Sequence, residues 1–346
     1  MKKNLLDFSA HELNLFMKEH GVAAFRGTQI RKWLYQGVDS FDEMTDISKD
    51  LRAWLSEYFT TGALKIKRLL KSSDGTCKFL FDLGDGNYIE SVLMKYSYGY
   101  SACISSQIGC KMGCKFCAST GAGFVRNLTI GEMIGQIITM NKHRGIRIGH
   151  VVIMGVGEPM DNYDNVVGFL REAQAPDGLG ISFRHLALST CGVVPGIRKL
   201  SEEKMPITLA ISLHSPFDDE RYELMPVNNA YPIEKVMDAC REYQADGGRR
   251  ITFEYAMIKG INDDKEHARA LANLVKDLQC HVNLIPMNDV PGTPFKKSDS
   301  VTVEVFTRTL ERMGVEVTTR RELGKDISAA CGQLRRSATE ESRNAN

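Results

Sequence analysis

The sequence predicts an α/β fold: a partial, open (β/α)6 barrel preceded by a small helical module and a strand pair. Two observations predict it. From Ser101 onward, β-patterned and amphipathic segments alternate strictly, and before that the pattern is helical and then period-two. Strict alternation implies parallel strands joined by crossover helices, because a parallel neighbour is reached only by crossing one face of the sheet. Six such units exceed half of a doubly wound sheet but fall short of the eight that close a barrel.

Residues 1–60 read as helices separated by polar loops. Ser9 and Glu12 form a capping box before LNLFMKEH, and FRGTQIRKWLYQG spaces Phe25, Ile30, Trp33 and Leu34 for one helical face. Residues 63–100 change to a period of two. KFLFDLGDGNYIESVLMKY has the form of a hairpin turning at Gly84-Asp85-Gly86-Asn87. These features divide the chain into an accessory module, 1–95, and a barrel, 96–346. The barrel strands are expected in SACISSQIG, HVVIMGVG, HLALSTCG, ITLAISLHS, RITFEYAMI, HVNLIPMN and VEVTTRREL. Its helices are expected in TIGEMIGQIITMNKH, NVVGFLREAQ, VVPGIRKLSEEK, IEKVMDACREYQ, DKEHARALANLVKDL and VTVEVFTRTLERMG. SATEESRNAN has the composition of a frayed polar tail.

Hydrophobic residues make up 43% of the 346 and charged residues 25%, as in ordinary globular proteins. No apolar run reaches the ~18 residues of a membrane span. MKKNLLDFSAHELNLF carries Asp7, His11 and Glu12 where a secretory signal is apolar, so a cytoplasmic location is expected. A net charge of +1 does not advertise a nucleic-acid partner. Local basic clusters exist nonetheless, including Arg26-Arg31-Lys32 and Lys65-Lys67-Arg68-Lys71. They are either solvated faces or, if gathered on one side, phosphate contacts.

The nine cysteines are an odd number without disulfide-framework spacing. Cys77, Cys191, Cys240 and Cys280 stand singly in apolar stretches, as buried hydrophobes do. Cys110, Cys114 and Cys117 are different: GCKMGCKFCAST places them in a C-x3-C-x2-C spacing on a glycine-bearing loop. Thiolates this close suit an iron–sulfur cluster or zinc. A structural zinc site needs four ligands and no neighbouring residue supplies the fourth, leaving a distant one as the alternative. A four-iron cluster held by three cysteines keeps one iron open for a small molecule. Polar and glycine-rich departures also follow the strands, at Gly157-Glu158-Pro159, Ser189-Thr190, Ser212-Leu213-His214 and Asn288. Barrel active sites form at the C-terminal strand ends, so these fragments should meet at one cavity.

C-x3-C-x2-C after the first barrel strand resembles the signature of radical S-adenosylmethionine (SAM) enzymes, with Phe116 at the usual aromatic position. The resemblance implies a [4Fe–4S] cluster on Cys110, Cys114 and Cys117 whose open iron chelates SAM and cleaves it to a 5′-deoxyadenosyl radical. GVGEP is similar to the family's strand-two motif, with Gly157 and Glu158 at the methionine amino group, a carboxylate accepting from an ammonium. Ser189, Ser212, Leu213, His214 and Asn288 match the remaining SAM contacts.

The resemblance narrows to the RlmN/Cfr family of RNA methyltransferases through FRGTQIRKW, SFDEMTDISK, CISSQIGC, GVGEPMDN, LALSTCGVVP, LAISLHSP, HVNLIPMN and DISAACGQL. It implies methylation of carbon 2 of an adenine in the peptidyl-transferase centre of 23S rRNA and of the adenine 3′ of the anticodon in tRNAs. Pro159 favours the RlmN branch over Cfr, which methylates carbon 8 and reads GEAL at this point. Two SAM molecules are consumed: one methylates Cys331, and the second yields the radical that removes hydrogen from the S-methyl group. The carbon radical adds to the base, and Cys103 resolves the crosslink, leaving a transient Cys103–Cys331 disulfide. Glu90 matches the proton acceptor, with Cys103 competing for that role, while on pattern alone Glu90 could be an exposed residue of an alternating strand. An electron donor such as flavodoxin or ferredoxin, a monomeric state and no membrane partner complete the expectation. A non-enzymatic iron–sulfur or zinc RNA-binding protein is the alternative from another class.

Overall fold

The computed structural model describes residues 2–120, 123–287 and 294–327. The helical module comprises α1 (Ala10–Glu19), α2 (Phe25–Tyr35) and α3 (Lys49–Tyr58), bracketed by the short parallel strands β1 (Lys3–Asn4) and β2 (Phe59–Thr60). The capping box forms: Glu12 N–H donates to Ser9 Oγ at 3.3 Å, and Ser9 N–H to Glu12 Oε2 at 2.8 Å. Ile30 and Leu34 of α2 are buried and Trp33 is half-buried, but Phe25 is 58% exposed. Five positions of helix rotate Phe25 off the face that holds Ile30, and Arg26 covers its ring instead.

Ten strands then form one sheet in the order β14-β13-β12-β11-β10-β9-β6-β5-β4-β3. The expected hairpin is β4 (Cys77–Asp82) with β5 (Tyr88–Tyr96), and β3 (Lys65–Lys71) adds a third antiparallel strand at the edge. The strand pair is therefore three strands. They are continuous with the barrel, because β6 (Gly99–Cys103) pairs antiparallel with β5 and parallel with β9 (Ile148–Ile153). The short β7 (Gln107–Ile108) and β8 (Arg126–Asn127) pair outside this sheet. Parallel strands β10 (Leu186–Thr190), β11 (Thr208–Ser212), β12 (Ile251–Met257), β13 (Cys280–Pro286) and β14 (Val317–Thr319) follow. The crossovers are α4 (Ile130–Arg144), α5 (Tyr163–Gln174), α6 (Val194–Glu202), α8 (Ile233–Ala245), α9 (Lys265–Val275) and α10 (Ser300–Arg312). The connection from β11 to α8 also contains α7 (Asp218–Leu224).

The two faces of the sheet differ in bulk. Phe79, Phe81, Leu93, Leu188, Leu209, Ile211, Phe253, Val282 and Leu284 are buried on the outer side against the helices. Each such side chain contributes about 1.5–3 kcal/mol by leaving water. Along β10 to β12 the inner face is small or polar. Register aligns Ser189 with Ala210, and Ser212 with Glu254 and then Asn283. A closed barrel fills its interior with bulky branched residues, whereas here small residues leave a lumen.

The module is fastened to the barrel's helices. Arg31, 3% exposed, pairs with Glu172 of α5 and, at 3.0 Å, with Asp177, while Tyr35 donates to Glu172 at 3.0 Å. Arg31 therefore leaves the set of candidate RNA contacts: its charge is spent holding α2 on the barrel.

Candidate active site

The cysteine loop runs from β7 to β8, whose antiparallel pairing closes its neck. Gly109 has φ +80°, and a Cβ there would lie 1.6 Å from the Gly123 carbonyl oxygen, so only glycine lets the two ends approach. Arg126 locks the returning strand through Asp85 of the hairpin turn and Glu132 of α4, each at 2.7 Å. Within the loop, Cys117 N–H donates to the Cys114 carbonyl at 3.1 Å, a turn that sets both thiols on one side.

Cys110, Cys114 and Cys117 line a cavity of about 290 Å³, together with Gly157, Glu158, Ser189, Ser212 and His214. Fragments more than a hundred residues apart thus meet at the C-terminal strand ends, as the alternation predicts. Burial pushes the Cys110 thiol up to about 11, helped by neighbouring Cys117. Cys114 is raised further, first by burial and then by Cys117 and Cys110. Three crowded thiols cannot all ionise beside one another without a cationic partner. Among the described residues no three metal-ligating side chains close on a single ion. The soft, three-sulfur donor set lining one cavity fits an iron–sulfur cluster.

Glu158 is buried with both oxygens engaged: Oε1 accepts from Met160 N–H at 3.0 Å and Oε2 from Cys191 N–H at 2.8 Å. Burial nonetheless raises its pKa. Gly157, at φ +118°, lies so close to Gln107 that a Cβ would stand 2.7 Å from its side chain. His214 takes a left-handed backbone, φ +61°, which turns its ring toward the cavity. Its Nδ1 accepts the Ala256 N–H at 2.9 Å, so the ring proton sits on Nε2. Burial, with Arg221 adding to it, pulls its pKa down to about 3, and the ring is a neutral donor. Phe116 meets that ring edge-on at 4.9 Å.

The Ser189 and Ser212 hydroxyls face each other at 3.4 Å. Leu213 sits at the same strand end, but its side chain is fully buried in the core, and its N–H and C=O bond Glu254 and Arg221. Cys103 and Glu90 share the inner face of β6 and β5. Glu90 is 3% exposed and pairs with Lys78 of β4 at 3.0 Å, so it is not an exposed strand residue. Burial raises the Cys103 thiol, opposed by Arg320 and Lys78. Asn288 and Cys331 lie outside the described residues.

Several site residues escape sequence reasoning. Cys191 is buried as expected of a lone cysteine, yet it lines the cavity and its N–H holds Glu158. Its position immediately after Ser189-Thr190 was the available signal. Arg221 is fully buried and ties the strand ends together, donating to the carbonyls of Cys191 at 2.7 Å and Leu213 at 3.1 Å. Glu254 and Arg320 also reach the cavity, Glu254 accepting from Asn283 at 2.8 Å.

Residues 104–272 match the family model of the radical SAM superfamily. Residues 3–60 match that of the ribosomal RNA large subunit methyltransferase N-terminal domain. A probable dual-specificity RNA methyltransferase RlmN of Clostridium perfringens is 53% identical over 337 residues, 97% of each chain. The chain belongs to the RlmN family of radical SAM RNA methyltransferases. Its Desulforamulus reducens relative of the same name is 52% identical across 97% of this chain and 96% of its own. A crystal structure of a radical SAM methyltransferase from Sphaerobacter thermophilus superposes with a TM-score of 0.93 at 40% identity, covering 96% of this chain and 98% of that one. RlmN membership makes the protein a SAM-dependent enzyme and sets aside the non-enzymatic alternative. Among the described residues, no helix is long and apolar enough to cross a membrane.

Proposed function

We propose that the protein methylates carbon 2 of an adenine in the peptidyl-transferase centre of 23S rRNA and of the adenine 3′ of the anticodon in tRNAs, using Cys331 as the methyl carrier. The single observation that carries this reading is the nearness of two sites on one face of the sheet. Met154 and Arg320, which line the cavity of Cys110, Cys114, Cys117, Glu158 and His214, also lie beside Cys103, which shares its face with Glu90. Relatives named as dual-specificity RNA methyltransferases support more than one RNA substrate, and the match to a ribosomal RNA large subunit methyltransferase N-terminal domain supports rRNA as one of them.

Cys110, Cys114 and Cys117 would hold the [4Fe–4S] cluster, which when bound supplies the electron that splits SAM. Glu158 receives the methionine ammonium group, with Gly157 allowing its close approach. Ser189, Ser212 and neutral His214, with Asn288, offer hydrogen bonds to the ribose and adenine of SAM. The S-methyl group on Cys331 becomes the carbon donor, and Glu90 takes the proton released from the methylated carbon. Cys103 then attacks the Cys331 sulfur; the new S–S bond replaces the sulfur–carbon bond, and the released methylene carbon keeps the electron pair and takes a proton to become the methyl group of the freed base.

An adenine must leave its stack to enter the lumen. Lys65, Lys67, Arg68 and Lys71 are exposed along the edge strand β3 and would grip the RNA backbone, making 1–95 the RNA-contacting module. We read the protein as a cytoplasmic monomer served by a flavodoxin- or ferredoxin-like electron donor. Mass spectrometry of rRNA and tRNA from a deletion strain tests the assignment. Loss of 2-methyladenosine from both RNAs, restored by the wild-type chain and not by Cys331→Ala, is expected. Retention of 2-methyladenosine in both overturns it, and loss of an 8-methyl mark assigns the carbon-8 chemistry instead.

A further inference from the structure

Lys78 is a fully buried ammonium group in a sheet whose outer face is apolar. Its strand neighbours Phe79 and Cys77 point to that outer core, so Lys78 points to the opposite, inner face. Register pairs Lys78 with Val92, Val92 with Cys103, and Leu80 with Glu90. Lys78, Glu90 and Cys103 therefore occupy one patch of the inner face, with Lys78 Nζ 3.0 Å from Glu90 Oε2.

A buried ion pair is a poor choice for stability, since apolar residues of similar volume often replace one without loss. Its location is what needs a cause. The backbone beneath Glu90 is fixed as well. Ser105 Oγ donates to the Glu90 carbonyl at 2.7 Å and accepts from Val156 N–H at 3.0 Å, joining β5 to the GVGEP loop. Gln136 Oε1 accepts from Ser91 Oγ at 2.7 Å and from Ser105 N–H at 2.9 Å. The carboxylate is thus carried on a rigid stretch of strand that is tied to the SAM-binding loop.

We propose that Lys78 is a positioning residue of the methyl-transfer site: its ammonium group, 3.0 Å from Oε2, holds the Glu90 carboxylate in place to take a proton, on the inner face of the sheet beside Cys103. The inference rests on the reading of Glu90 as proton acceptor and adds the group that makes it one. A carboxyl group buried alone stays protonated at neutral pH and cannot accept; a cation within about 4 Å reverses that preference. The charged and titratable groups facing this patch include Lys78 from β4, Cys103 from β6, Arg68 from the edge strand β3, in register with Leu80 and so with Glu90, and Arg320 beyond β14, with Glu254 from β12 beside Arg320.

The test is the pH dependence of single-turnover methyl transfer to tRNA by the cluster-loaded enzyme. Lys78→Met should move the acidic limb up by about one to three pH units, a ~10- to 1,000-fold loss below the new limb that recovers as pH rises. Lys78→Arg should return the limb toward wild type. An independent readout uses the protein without RNA: infrared spectra at neutral pH should show a protonated carboxyl band in Lys78→Met that is absent from wild type and from the Lys78→Met/Glu90→Gln double variant. An unmoved limb and no such band, with Glu90→Gln inactive, overturn the role of Lys78 and leave Glu90 as acceptor. A Glu90→Gln enzyme of wild-type rate overturns both.

Discussion

Along the ends of β9 to β12, polar groups are neutral or satisfied by backbone. Glu158 accepts two N–H groups, His214 is uncharged, and Arg221 donates to carbonyls of two strand ends. Along β4 to β6 the polar groups are instead charged and paired with each other, Lys78 with Glu90, beside a thiol. One wall carries polar groups that are neutral or held by the backbone, and the other carries an ion pair beside a thiol. The two share a sheet and a lumen, so the difference lies in which side chains the register turns inward.

The strongest way to break this comparison is Cys114→Ala. Iron content should fall from about four per chain, with the brown colour and deoxyadenosine release lost, while far-ultraviolet circular dichroism is unchanged. Full iron loading would remove Cys114 from the ligand set. Next in size is Gly109→Ala compared with Gly84→Ala. Both glycines have φ near +80°, but a Cβ at Gly84 meets nothing within 4 Å. Gly84→Ala should cost about 1–3 kcal/mol of unfolding free energy from backbone strain alone. Gly109→Ala should cost more and impair cluster loading, and equal costs in denaturant melts would contradict the closed neck.

His214 sharpens the comparison through pH. The unfolded chain takes a proton on this histidine near 6.5, whereas the folded chain does so only near 3. Between those values the unfolded state binds more protons, so stability falls with falling pH by about 1.4 kcal/mol per unit. His214→Gln should remove that slope, measured as the difference between the two proteins' unfolding free energies across the window. An identical slope in both would mean the ring is not held neutral. The smallest effect on the lumen should come from Lys65→Ala/Lys67→Ala/Lys71→Ala on the edge strand. The log–log salt dependence of tRNA binding should weaken by about 0.7–0.9 per lost phosphate contact, with the SAM cleavage rate kept. Unchanged tRNA affinity would place the RNA surface elsewhere.

Much of the cofactor wall was legible because its signals are local. Cysteine spacing, GVGEP, and polar residues that interrupt apolar strands are patterns of a few residues, and alternation assigns them all to one end of a barrel. The flank was less legible. The hairpin turn was evident from Gly84-Asp85-Gly86-Asn87, but the third strand, Lys65–Lys71, looked like a basic cluster before it looked like an edge. Edge strands carry lysines because charge discourages pairing with another chain, so one feature serves two causes. Arg31 shows the same ambiguity with the opposite outcome, its basic character being structural.

The sequence by itself determined the alternation of strands and crossover helices from Ser101 onward, the capping box at Ser9, the three-cysteine loop and the hairpin turn at Gly84-Asp85-Gly86-Asn87. These depend on residues within a few positions of one another, where periodicity and backbone sterics decide. Only the tertiary structure decided that Lys78 meets Glu90, that Cys191 holds Glu158, and that Arg31 is spent on Glu172. Each of these contacts depends on strand register or helix docking between segments remote in the chain. A shift of register by one residue would turn Lys78 into the apolar core and Phe79 into the lumen.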